Sequence, residues 1–491
     1  MKKYRCLIRN PECQQLLGFT KHLLSMFFLL TATNVVADAT VGSPFDIQQA
    51  KQIIGGGTTP EYRVSPGVNG LASLGTRRLR LINVDNNLKA VTPDGDLKIE
   101  WSQHLKDGLE LCKQNGWVPR LVVGHDLPAP LGIIGPEGRK YGPSSWPIYE
   151  KYINALLAYV TDEWGFKESE WEVGNEMNVP AANWVAAKLP SGLTDMEGFS
   201  AYMTLYTHIA QTVDKFRLTH PQTVTRIGGP AVPGQGYFEI NESQNWTLRF
   251  VDEIAARRLP CDFVSAHVYG NDYSGAQVAL ALEKLEKRIA LRKLAMPISV
   301  SEWGPNWHSD AAAVNLGPIS GSFVLEFIRI MAHAKVTDAI FLALSKFPDN
   351  NWPVLYLQDG TPTHAMKVMQ LVTSLDGSVL NCDTGLASVG CLAVKTPSNE
   401  VKVLVWNLDW WNHPIGAAKQ PQFNAKVAVK ISGLESVRYA GSITRLSTHS
   451  SNGNCPCPLG EVVAVGSSGV QLAGVNLDYG DYAFLSVSVA K

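Results

Sequence analysis

From Leu71 to Leu375 the sequence alternates short apolar runs with amphipathic stretches of helical length. Strands are predicted over 77–83, 120–124, 171–174, 225–228, 262–267, 298–301 and 337–344. Helices are predicted over 102–116, 146–164, 199–216, 246–258, 277–294, 321–334 and 363–375. Apolar strands of this length, each followed by a helix, are the mark of parallel β-structure with helical crossovers. Seven strands are visible and an eighth is expected before Leu71, which points to an α/β fold, a (β/α)8 TIM barrel, rather than an open doubly wound sheet. No G-x-G-x-x-G follows a first strand, and Gly55-Gly-Gly57 reads as a turn, so a dinucleotide fold is disfavoured.

Beyond residue 376 the pattern changes to short alternating strands over 392–394, 401–406, 425–431, 443–447, 461–465, 470–472 and 482–489, separated by Gly, Asn, Ser and Pro. This predicts a C-terminal β-sandwich. The expected organisation is a leader over 1–39, a barrel over 40–375 and an accessory sandwich over 376–491. The leader reads as a cleavable export signal: Lys2, Lys3, Arg5, Arg9 and Lys21 precede the apolar run 23–30, and Ala37-Asp-Ala39 fits a cleavage site. A secreted or periplasmic protein without stable membrane insertion is therefore expected. Cys382 and Cys391, nine residues apart in sequence, can close a hairpin disulfide. Pairing with Cys455 or Cys457 is the alternative, and Cys112 and Cys261 read as buried thiols. Asn241 and Asn245 begin glycosylation sequons that matter only in a eukaryotic secretory pathway.

With 43 basic and 44 acidic residues, the net charge of -1 argues against nucleic acid as a partner. No H-x-H marks an early strand end and no C-x-x-C occurs among the cysteines, so neither a metal nor an organic cofactor is expected.

Barrel enzymes place their chemistry at the C-terminal ends of strands. The fourth strand ends in Trp171-Glu-Val-Gly-Asn175-Glu176-Met-Asn178, and the seventh in Ser301-Glu302-Trp303-Gly304. Strands four and seven face each other across a barrel mouth. Each motif alone is unremarkable; together they present the carboxylate pair of a glycosidase, which cleaves with retention when the two stand about 5 Å apart. Glu176, beside an Asn175 suited to a sugar hydroxyl, reads as acid/base, with a pKa raised by a neighbouring carboxylate and burial. Glu302 reads as nucleophile, needing donors from His267, Tyr269 or Arg80. His125 and Asp126 end strand three, Asp126 being equally a helix cap. Trp303 and Trp307 read as sugar platforms or as loop packing. Trp406, Trp410 and Trp411 read as a carbohydrate face or, more readily, as interface packing.

These segments, in this order, resemble the retaining glycoside hydrolases of the clan with catalytic carboxylates on strands four and seven, and within it family 39. Gly124-His-Asp-Leu-Pro128, Trp171–Asn178, Thr204-Leu-Tyr206, Ile227-Gly-Gly-Pro-Ala231, Asp262–Tyr269 and Ser301-Glu302-Trp303 carry the resemblance. It implies an acid/base at Glu176, a nucleophile at Glu302 and an oligo- or polysaccharide substrate, with β-linkage expected. Gly174 and Met177 depart from the family's Trp-Asn-Glu-Pro-Asn signature. The stretch 341–346 lacks the Trp that the family carries on strand eight, and ends in Lys346. The competing reading is a catalytically inactive or transglycosylating barrel that binds polysaccharide.

Overall fold

The computed structural model describes residues 47–491 apart from 60–67, 132–141, 179–194, 235–241, 346–350, 416–424, 432–438, 446–455, 459–461, 465–469, 478–479, 490–491 and positions 83, 86, 126, 243, 309, 335 and 387. The expected leader, Asp126, Asn241, Lys346 and Cys455 lie outside the described residues.

Eight parallel strands close into a barrel: β1 (Gly57–Thr58), β2 (Arg78–Leu81), β3 (Val118–Val123), β4 (Glu168–Val173), β5 (Val224–Val232), β6 (Phe263–Tyr269), β7 (Ile298–Gly304) and β8 (Asp338–Phe341), with β8 returning to β1. The first strand is the one unseen in the sequence. Gly57, predicted in a turn, starts it. A Cβ on Gly56 would lie 2.3 Å from the Ala339 carbonyl oxygen, so the glycine run lets the chain enter against β8.

The strands keep period-two alternation, with an unusual inward set. Leu79, Leu81, Trp171 and Val173 are buried apolar residues, while Arg80, Arg120, Glu170 and Glu172, on the alternate positions, are buried charges. Low in the barrel, Arg120 donates to Glu170 (2.7 Å), Ser299 (2.7 Å) and Asp338 (3.2 Å), and Arg78 donates to Glu170 (2.9 Å). Charges this deep persist because each is paired.

The helices form where the sequence places them. That over Gln103–Asn115 is capped by Ser102, whose hydroxyl accepts from the Leu105 N–H at 3.3 Å, and ends at Gly116 with φ 68°. Its Leu105, Leu109, Leu111 and Cys112 face the core. Among the described residues, no helix is long and apolar enough to cross a membrane.

The C-terminal strands are β9 (Ser378–Leu380), β10 (Cys382–Asp383), β11 (Val389–Lys395), β12 (Val401–Asn407), β13 (Ala425–Ile431), β14 (Tyr439–Arg445), β15 (Pro456–Pro458), β16 (Val462–Ala464), β17 (Val470–Leu477) and β18 (Tyr482–Val489). They form a sheet in the order β9-β11-β12-β18-β14-β15 and another in the order β10-β13-β17-β16. Val403, Val405 and Leu485 of the first sheet pack with Val429, Ile431 and Leu477 of the second, which makes the unit a sandwich. Cys382 and Cys391 are disulfide-bonded, tying β10 of one sheet to β11 of the other. Trp406 and Trp410 are fully buried: Trp406 donates its indole N–H to Glu326 of a barrel helix at 2.9 Å, and Trp410 packs edge-on to Phe323. They are interface residues, and Trp411 lies under the Arg329 guanidinium, 5.5 Å from its ring.

Candidate active site

Four strand ends converge at the C-terminal mouth. As the chain leaves β4, the Gly174 N–H donates to the Val123 carbonyl (2.7 Å), and the Glu176 N–H donates to the Ala231 carbonyl on β5 (2.8 Å). Glu176 has φ 54°, a conformation a non-glycine residue holds only when its surroundings impose it. The two main-chain bonds to β3 and β5 do so.

Arg80 is the centre of the arrangement. Its Nε donates to Glu172 at 2.6 Å, one terminal nitrogen donates to Glu302 Oε2 at 3.1 Å, and the other donates to Asn175 Oδ1 at 2.7 Å. That last nitrogen also lies 3.5 Å from His267 Nε2. The other ring nitrogen, Nδ1, donates to the Glu176 carboxylate, whose Oε1 lies 2.9 Å away. The Tyr269 hydroxyl donates to Glu302 Oε1 at 2.5 Å. One atom each of Glu176, His267 and Glu302 lie within 4.8 Å of one another. Arg80 engages the carbonyl oxygen of Asn175, so the amide NH2 is the group that Asn175 has left to donate.

The electrostatics differ from expectation at Glu176. Burial pushes its carboxyl up, but the hydrogen bond and charge of His267, then the charges of Arg80 and His125, outweigh burial and hold it below the ordinary carboxylate range. The expected upward shift assumed an unscreened second carboxylate; here cationic donors stand between. For Glu172, burial again pushes upward, and the charges of Arg80 and Arg120 overcome it to leave the group at about 2. Tyr269 is raised well above its ordinary value, by burial first and the Glu302 charge second, so its hydroxyl stays protonated and donating.

Of the residues named from sequence, Arg80, Asn175, Glu176, His267, Tyr269 and Glu302 stand in one hydrogen-bonded cluster. His125 lies within electrostatic range of Glu176. Trp303 does not join them. It is 1 % exposed, stacked face to face on Phe327 at 3.8 Å and edge-on to Phe341, so its ring fills the space between barrel and helices. Its position on β7 explains this: Glu302 points inward, and the next side chain must point outward. Glu172 is the member sequence reasoning missed. The signal was present in Arg78-Leu-Arg80 and Glu170-Trp-Glu172, charges at period two inside strands otherwise apolar.

Glu176, His267 and Glu302 are also a donor set able to hold a metal ion. An ion there would meet the Arg80 guanidinium already bonded to Glu302, so the set suits proton transfer and carboxylate chemistry better.

No protein-family model and no curated protein matches the sequence. Solved structures do. A monomeric β-xylosidase from Caulobacter crescentus CB15 is 16% identical, with 91% of this chain and 93% of that chain covered and a TM-score of 0.59. A family 39 glycoside hydrolase from Bacteroides cellulosilyticus WH2 is 14% identical, covering 90% and 82%, with a TM-score of 0.57. A glucosidase from Croceicoccus marinus is 12% identical, covering 90% and 97%, with a TM-score of 0.55. The chain shares its fold, barrel and C-terminal sheets together, with these proteins.

Proposed function

We propose that the chain is a retaining glycosidase that hydrolyses a β-linked oligo- or polysaccharide outside the cytoplasm. The observation that carries this is the facing pair: carboxylate oxygens of Glu176 and Glu302, from β4 and β7, within 4.8 Å of each other, the spacing of direct attack rather than of an intervening water. The fold shared with a β-xylosidase, a glucosidase and a family 39 hydrolase supports the class. The Cys382–Cys391 disulfide supports an oxidising compartment.

In this reading Glu302, held by Arg80 and Tyr269, attacks the anomeric carbon. The C–O bond to the leaving group breaks, and Glu176 gives its proton to that oxygen. Asn175 donates to the hydroxyl beside the reacting carbon. Water, deprotonated by Glu176, then attacks the glycosyl ester and releases the sugar with Glu302 restored. The low-lying Glu176 carboxyl favours the base half of the cycle; a sugar that covers it from water moves it upward for the acid half.

The test is a panel of aryl β-glycosides and plant or microbial polysaccharides, with the product anomer followed by NMR. Retention is expected, together with a loss of at least about a thousandfold in Glu302→Gln and azide rescue of Glu176→Ala on an activated aryl glycoside. Inversion, or an active Glu302→Gln, overturns the reading.

A further inference from the structure

We propose that Trp307 is the floor of a sugar-stacking subsite on the leaving-group side of the catalytic pair, built by the loops after β6 and β7 and braced by the sandwich. The proposal rests on the glycosidase reading above.

Trp307 follows the end of β7 by three residues, so it stands at the mouth where Glu302 emerges. Trp307 is 47% exposed, unlike Trp171, Trp246, Trp303, Trp406 and Trp410, which are all buried. An exposed indole is ordinarily free to change rotamer, but this one is held at three points. The indole N–H donates to Asp272 Oδ1 at 2.8 Å, the backbone N–H donates to Asn271 Oδ1 at 3.2 Å, and the His308 ring stacks on it at 3.8 Å. Both acceptors belong to the loop that follows Tyr269. The polar edge of the ring is thus satisfied, and a flat apolar face remains for a ligand. A face of this size, fixed before binding, fits the C–H face of a pyranose ring, and a pre-organised ring loses little freedom when the sugar arrives.

The loop that holds Trp307 is itself held. The Ile415 N–H donates to the Gly270 carbonyl (2.8 Å) and the Trp410 indole N–H to the Tyr273 carbonyl (2.8 Å). In the other direction Gly275 N–H donates to Trp410 O (2.7 Å) and Ala276 N–H to Trp411 O (3.0 Å). The segment leaving β12 therefore clamps both ends of the loop, which gives the sandwich a role in the site. Asp272 locates the platform: it follows by three residues Tyr269, whose hydroxyl donates to Glu302 Oε1 at 2.5 Å. The platform's anchor is thus tied by a short stretch of chain to the catalytic pair, and the Glu176 charge is among the influences that, after burial, raise the Asp272 carboxyl. The group that protonates the leaving oxygen faces the leaving sugar, so a sugar on Trp307 is the one being released, or the acceptor in the reverse step.

The experiment uses the full chain and two substrate types: 4-nitrophenyl β-glycosides, with no sugar on the leaving side, and β-1,4-linked disaccharides and tetrasaccharides of xylose and glucose. For Trp307→Ala, the ratio of kcat/KM on the oligosaccharide to that on the aryl glycoside is expected to fall about 30-fold, and Trp307→Phe to restore most of it. Asp272→Ala, which frees the ring, lowers the same ratio less. Calorimetric titration of the oligosaccharides into Glu302→Gln, with and without Trp307→Ala, gives a readout independent of turnover, and Kd is expected to rise with the tryptophan removed. An unchanged ratio with unchanged Kd overturns the subsite. Equal losses on both substrate types move Trp307 away from the leaving-group side and overturn it as stated. Binding without cleavage by the wild type removes the glycosidase reading alone, and the Kd difference then decides the platform. Neither binding nor cleavage removes both.

Discussion

Arg80 and Glu172 form an ion pair sealed from solvent, Nε to Oε2 2.6 Å, with both side chains 0% exposed. Arg80 reaches the site, and Glu172 is bonded to it through Arg80. Glu172 thus fixes the angle at which the guanidinium meets Glu302 and Asn175, and acts as a positioning residue.

Stability follows from the same pair. Glu172 stands at about 2 in the folded chain against an ordinary 4.5. A depressed carboxylate stabilises the fold above its unfolded pKa and loses that contribution as pH falls toward the folded one, here about 3 kcal/mol between pH 4.5 and 2. Glu172→Gln is expected to lower unfolding free energy at pH 7 by about that amount, with the gap narrowing as urea titrations move to pH 3. A gap independent of pH would show that the ion pair is not its source.

In the proposed mechanism, His267 is expected to set the pH range of the reaction. Burial raises Glu176, and the hydrogen bond and charge of His267 lead the opposing contributions that bring it below its ordinary range. The alkaline limb of kcat/KM reports the acid of the free enzyme, so the profile is expected to favour acidic pH. Removing the donor in His267→Ala lets burial dominate, and the limb moves to higher pH as the rate falls about 10- to 100-fold. An aryl glycoside with a poor leaving group, measured from pH 3 to 9, checks this. A limb that stays in place assigns it to another group.

The barrel was legible because its strands and helices differ in period, and because caps such as Ser102 and Gly116 mark where the period changes. The placement of Glu176 and Glu302 at facing strand ends was legible because the fourth and seventh strands can be counted along the sequence. What escaped depends on distances the sequence does not state. Gly57–Thr58 is too short to show a pattern, and its identity as β1 comes from the closure against β8. Trp303 and Trp307 are indistinguishable by type; four residues of chain separate one that turns out of the barrel onto Phe327 from one that lies past the strand end and bonds Asp272. The Glu176 shift could not be read because its sign depends on whether His267 or Glu302 is the nearer partner, and His267 Nδ1 is the one at 2.9 Å.

The Cys382–Cys391 bridge ties the two sheets through a short loop. Closing a loop of this length restricts the unfolded chain by about 2–3 kcal/mol. Cys382→Ser with Cys391→Ser is expected to lose about that much in denaturant unfolding, while kcat/KM on a small aryl glycoside stays within about twofold, since neither cysteine is among the residues that hold the β6 loop, which are Trp410, Trp411 and Ile415. Parallel loss of activity at a temperature where the variant remains folded would contradict that separation.

Gly174 and Met177, the two departures from the family signature, are one steric unit. A Cβ on Gly174 would lie 2.6 Å from Met177 Cγ, and the glycine's φ is 79°. Met177 is fully buried, so the glycine leaves the space that its side chain fills. Gly174→Ala is expected to cost about 2–3 kcal/mol, part from the left-handed backbone and part from the contact. Met177→Ala is expected to cost about 2–4 kcal/mol through the cavity it leaves. In the double variant the contact disappears while the backbone strain remains, so the combined loss falls short of the sum by about 1 kcal/mol. Because Glu176 lies between the two, Gly174→Ala also displaces the carboxylate, and its kcat falls more than its stability alone explains. Strict additivity in urea unfolding would mean that the two sites do not share space. A kcat that survives Gly174→Ala would mean that Glu176 is held by its bond to Ala231 alone.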